Sequence, residues 1–130
     1  MKLIVPEPGS RQARQAWETA DRIVSSSLLY VEARSALAAA VRAGRLPRAL
    51  RLRARARLER HWRDIDAAAA DEPVVLSASD LAESHALRGY DAVHLASALA
   101  LADEELVLVS ADRELLAAAS ATGIATLPAV

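Results

Sequence analysis

The chain of 130 residues has no cysteine and no phenylalanine. Without cysteine it has neither a disulfide frame nor a thiolate metal site, which excludes stapled secreted scaffolds and zinc ribbons. Aromatic residues are 3% of the total while hydrophobic residues are 53%, much of that alanine. Such a composition predicts closely packed helices rather than aromatic layers. With 25% charged residues the chain is too apolar for disorder. No uncharged stretch reaches the roughly 18 residues of a membrane span. The opening "MKLIVPEPGS" has only Leu3, Ile4 and Val5 before Pro6, too short a core for a signal peptide. A cytoplasmic location fits these absences. There is no glycine-rich phosphate loop, so nucleoside triphosphate binding is not indicated. A Ser-His-Asp site on His85 or His94 would lack a nucleophile elbow.

An excess of charge of either sign is also nearly missing, since 16 Lys and Arg stand against 17 Asp and Glu for a net value of −1. That argues against a generic nucleic-acid binder, but the distribution is uneven. Between Arg42 and Arg63 stand nine arginines and a single acid, Glu59. The remainder of the chain is correspondingly acidic. Such asymmetry fits a polyanionic partner and equally fits a solvated helix face.

Helical and extended patterns alternate along what reads as one domain, residues 1–130. "SRQARQAWETA" predicts a helix with Ser10 as N-cap, and "RIVSSSLL" a short strand. "YVEARSALAAAVRAG" turns helical and stops at Gly44. Pro47 begins the arginine-bearing helix. "DEPVVLSASDLAESHALRG" is expected to open with a few extended residues before a helix capped near Ser79. "YDAVHLASALAL" is an apolar helix, "ELVLVSA" a strand, "DRELLAAASATG" a helix closed by Gly123, and "IATLPAV" a last strand. The alternation predicts an α/β domain with a mainly parallel sheet, whose ligands bind beyond the carboxyl ends of the strands.

Three acids bear on that rule. Asp112 directly follows "LVLVSA", and Glu32 comes shortly after "IVSSSLL". Asp91 opens the apolar helix. Each could be a helix cap or a favourable partner for the helix dipole. Glu32 lies in a segment that reads as mostly buried, where an unpaired carboxylate would cost several kcal/mol, so it should have a partner or a metal. Carboxylates converging without cysteines or clustered histidines favour a hard cation, Mg²⁺ or Mn²⁺, able to activate water at a phosphodiester. His94, three residues beyond Asp91, reads as a hydrogen-bonded structural residue rather than a ligand.

Together "VPEPGS", "SSSLLYVEARSAL", "ALRGYDAVHLASAL" and "LVLVSADREL" resemble the PIN-domain family, specifically the VapC-type toxins of toxin–antitoxin pairs. "YDAVHLASA" is the most specific piece, and the similarity runs along essentially the whole chain. The resemblance implies a three-layer α/β/α domain and a Mg²⁺- or Mn²⁺-dependent endoribonuclease that leaves 5′-phosphate and 3′-hydroxyl ends. It assigns Asp91 as a direct metal ligand, with Glu32 and Asp112 completing the catalytic cluster directly or through water. Ser110 is a weaker candidate for orienting the site. The implied partners are RNA, a cognate antitoxin and a second copy of the chain, with DNA reached only through the antitoxin. In the family a strand ending in Asp precedes a segment like "VKLIVPEPGS". The chain is therefore expected to lack that central strand and first catalytic Asp, and Met1 is expected to be a misassigned start. Glu7, in the Pro-Glu-Pro-Gly turn, is not a substitute. The alternative is a catalytically inactive PIN-like module that binds an antitoxin or dimerises.

Overall fold

A computed structural model describes all residues, Met1–Val130. Six helices alternate with four short strands: α1 Ser10–Thr19, β1 Val24–Ser26, α2 Leu28–Arg42, α3 Arg51–Arg63, β2 Asp66–Ala68, α4 Glu72–His85, α5 Gly89–Ala100, β3 Val107–Ser110, α6 Arg113–Ala121 and β4 Ala125–Pro128. A single 3₁₀ turn, Arg48–Leu50, leads into α3. The fold is thus mixed α/β, and all strand pairing is parallel, as the alternation predicts. The strands form two separate pairs rather than one sheet. β1 pairs with β2 in the register Val24↔Asp66, Ser25↔Ala67 and Ser26↔Ala68. β3 pairs with β4 from Val107↔Ala125 to Ser110↔Pro128.

The core follows the alanine-rich composition and has two parts. The larger joins α4, α5 and α6 through Val74, Ala78, Ala92, Leu95, Ala96, Leu115, Ala118 and Ala119, with Leu87 and Ile124 from the connections. The smaller joins α2 and α3 through Ala33, Leu37, Ala40, Ala54 and Leu58, closed by Leu46. Small side chains let these helices approach closely, and the packed faces repeat at helical spacing. Tyr30 ties α2 to α3 above the smaller core. Its hydroxyl donates to Glu59 at 2.7 Å, accepts from Arg34 at 3.0 Å, and its ring lies 5.3 Å from that of Trp62. α1 buries no residue and meets α3 through the Trp17–His61 ring contact at 4.7 Å.

Several boundaries differ from the sequence pattern. Ser10 is the first residue of α1 rather than its cap. Gly9 occupies the cap at φ +84°, while Ser10 Oγ accepts from the Glu7 N–H at 3.0 Å. A Cβ on Gly9 would also overlap the Ala129 carbonyl, so only glycine fits between the two ends of the chain. The first strand stops at Ser26, and its leucines already belong to α2. The extended residues expected in "DEPVVLSASD" lie earlier, in Asp66–Ala68. α4 begins at Glu72 because Asp71 accepts the Val74 N–H at 3.1 Å and Pro73 suits the first turn. Ser79 is mid-helix, its hydroxyl bonded back to the Val75 carbonyl. No helix is long and apolar enough to cross a membrane.

Candidate active site

α4 ends at His85 and is capped by Ala86, which adopts the left-handed conformation (φ 53°), turns the chain, and sends Leu87 into the core. Arg88 follows in extended conformation as the N-cap residue of α5, with its backbone carbonyl accepting the Ala92 N–H. Asp91 is therefore in the first turn of α5 rather than at its cap, and no side chain caps that turn. The expected cap role is corrected: Gly89 and Tyr90 intervene, so the Asp91 carboxylate is free to turn toward Arg88. It meets Arg88 Nε at 2.8 Å through Oδ2.

Asp112 reaches the same guanidinium from another element. β3 delivers the chain to Ser110, whose hydroxyl accepts the Asp112 N–H at 3.0 Å. Asp112 then caps α6, its Oδ1 accepting the N–H groups of Glu114 and Leu115 at 2.9 and 3.0 Å. Its other oxygen, Oδ2, takes Arg88 at 3.0 Å. Two carboxylates from separate helices thus converge on one cation. They are shielded, with side-chain exposures of 13% for Asp91 and 30% for Asp112, whereas Arg88 is 73% exposed and lies on their solvent side. The pairing raises the Arg88 pKa further, first through its hydrogen bond to Asp91.

Glu32 is placed differently. It falls in the second turn of α2 and, contrary to the buried reading of its segment, its side chain is half exposed. Ala33, Leu37 and Ala40 take the inward face, which leaves Glu32 outward. Its Oε2 accepts the Tyr90 hydroxyl and stands 3.7 Å from His94 Nε2. Tyr90 and His94 pack edge to face at 4.4 Å. Partial burial and then repulsion from Asp91 push the Glu32 carboxyl above its ordinary range, against the chain's N-terminal ammonium and Arg88. Burial keeps the His94 imidazolium unfavourable, lowering its pKa despite Asp91.

Asp91 and Asp112 therefore come together, while Glu32 stands near enough to feel Asp91 but bonds elsewhere. No three acidic or histidine side chains lie close enough to share one ion. The expected three-acid cluster is closed here only between two members. The donor chemistry nonetheless fits a hard divalent ion, because both acids turn a carboxylate oxygen toward the same guanidinium. Arg88 and Tyr90 stand inside the quoted motif but are not among the site residues that the sequence points to. The signal for Arg88 was its i, i+3 spacing from Asp91; Tyr90 had none, since its partner is 58 residues away.

Comparison with known proteins places the chain among known families. The family described as PIN domain matches residues 1–121. Two Mycobacterium tuberculosis proteins, Ribonuclease VapC45 of strain CDC 1551 and Ribonuclease VapC49 of strain H37Rv, are each 44% identical over 135 residues. Each alignment covers 99% of this chain and 90% of the relative.

Proposed function

The chain belongs to the PIN-domain family as a VapC-type ribonuclease toxin, and from that premise we propose that it hydrolyses RNA phosphodiesters with Mg²⁺ or Mn²⁺ under restraint by a cognate antitoxin. The observation that carries this reading is the convergence of Asp91 and Asp112 on one cation. Asp91 and Asp112 would hold the ion, with Glu32 joining directly or through water. When bound, a divalent ion would supply Lewis acidity at the phosphodiester and an activated water.

The protein's own residues supply the rest. Ser110 fixes the Asp112 backbone, and the α6 cap fixes one carboxylate oxygen, leaving the other to face the site. Tyr90 orients Glu32. The exposed arginines of α3 would draw RNA toward the protein without reading its sequence. Leu50 and Leu52 stay exposed among those arginines, which supports a protein partner offering apolar and acidic side chains.

Mixed-sequence RNA incubated with the purified chain and Mg²⁺ or Mn²⁺ tests the activity. Cleavage should stop on chelation, return with added metal, and leave 5′-phosphate ends. Cleavage indifferent to chelation, or cyclic phosphate ends, would overturn the metal-assisted reading.

A second reading, a non-catalytic module that binds an antitoxin, draws on one observation: Glu32 stands with Tyr90 and His94 rather than with the aspartate pair. Failure of the chain to bind Mn²⁺ at all would favour it.

A further inference from the structure

Arg88 is the only cation bonded to Asp91 or Asp112. Its guanidinium bridges them from the solvent side, so whatever reaches these oxygens from solution has to move it. Nothing pins it there except those two acids. The side chain is 73% exposed, and its neighbour Gly89 has open space where a Cβ would stand. A guanidinium has five N–H donors, of which Arg88 commits only two. The others make no hydrogen bond, and Arg88 is the N-cap residue of α5, whose first turn no side chain caps. Once the carboxylates are neutralised by another cation, a planar donor fork with uncommitted N–H groups suits a phosphate.

We propose that Arg88 is a displaceable counter-cation: it holds Asp91 and Asp112 together in the metal-free protein, gives up that place when a divalent ion binds, and then grips the phosphodiester of the RNA. This rests on the reading of the two aspartates as a metal site. Arg88 thereby has two positions. In the first it offsets repulsion between two carboxylates; in the second it orients substrate. Removing a competing cation should tighten metal binding, whereas removing a merely structural arginine should loosen it by letting the carboxylates drift apart. The two roles thus give opposite signs.

The experiment is a calorimetric titration of the full chain with Mn²⁺ alone, for wild type, Arg88→Gln and Arg88→Lys. Arg88→Gln should bind Mn²⁺ about two- to fivefold more tightly, the range expected for loss of exposed ion pairs. Arg88→Lys, which keeps a charge but loses the bridging fork, should fall between. At saturating Mn²⁺ the KM for RNA should rise several-fold in Arg88→Gln and be partly restored in Arg88→Lys. Unchanged or weaker Mn²⁺ binding by Arg88→Gln, with wild type binding normally, would overturn the role of Arg88 and leave the metal site standing. An unchanged KM would overturn the phosphate contact. No Mn²⁺ binding by any of the three proteins would overturn both this proposal and the metal reading beneath it.

Discussion

Asp112 receives Arg88 at 3.0 Å through Oδ2 while Oδ1 remains engaged with the first turn of α6. One carboxylate therefore carries a structural duty and a site duty on different oxygens, and substitutions can separate them. Asp112→Asn keeps an oxygen for the cap, whereas Asp112→Ala loses it. The alanine variant should lose about 0.5–2 kcal/mol of stability and the asparagine variant much less. Both should lose nearly all RNA cleavage. Urea unfolding checks the first statement and a cleavage assay the second. Equal stability of the two variants would remove the cap from the account.

Histidines and Glu32 should bend the stability of the protein with pH in opposite senses. His94 has its pKa lowered by burial, and so does His61, beside Arg57 and under Trp17. As pH falls through the ordinary histidine range the unfolded chain takes up protons first, so stability should fall toward acid. Glu32 is raised, so the native state holds its proton longer than the unfolded chain does. Its contribution is present at low pH and is lost as pH rises through the ordinary glutamate range toward the raised native value. Denaturant unfolding across pH 4–8, as an approximate working range, should show His61→Gln and His94→Gln flattening the acid-side loss. Glu32→Gln should instead abolish the decline that accompanies its ionisation. Parallel curves for all three variants and wild type would contradict these assignments.

Much of this arrangement was legible in the residues. "ELVLVSA" followed by Asp112 became β3 and the α6 cap because a short valine-rich strand and an Asp at a helix mouth are both local signals. The Gly44 and Gly123 stops lie at positive φ just beyond α2 and α6. Local signals failed where tertiary partners decide. Asp66–Ala68 is a strand only because β1 pairs with it, since "DAA" carries no strand propensity. Val74–Val75–Leu76 looked extended, but the Asp71 cap and burial of Val74 against α5 and α6 make it helix. Glu32 looked buried from its apolar neighbours, yet only Ala33 and Leu37 among them turn into the core, while Val31 and Glu32 face outward. The bond from Tyr90 to Glu32 spans two helices and leaves no periodicity to read.

The arginines of α3 should attract RNA through its phosphates. Arg51, Arg53, Arg55, Arg60 and Arg63 are exposed, and among them only Arg55 has an acidic partner, Glu59 at 3.7 Å. Removing one arginine–phosphate ion pair should reduce the log–log salt slope of single-stranded RNA binding by about 0.7. Replacing Arg51, Arg53 and Arg60 with Gln should therefore weaken binding and flatten the slope by up to about 2. Binding measured between low and moderate salt decides this. An unchanged slope would leave the helix as a solvated face or a protein interface.

A Mn²⁺ titration of Asp91→Asn/Asp112→Asn against wild type decides whether Asp91 and Asp112 together hold the divalent ion. Free Mn²⁺ followed by electron paramagnetic resonance reports binding without requiring cleavage. Asn at position 112 preserves the α6 cap, so the double variant should remain folded. The wild-type chain should take up one Mn²⁺ in a saturable site, and the variant should show none over the same concentrations. Superimposable isotherms for the two proteins would show that these aspartates do not hold the ion.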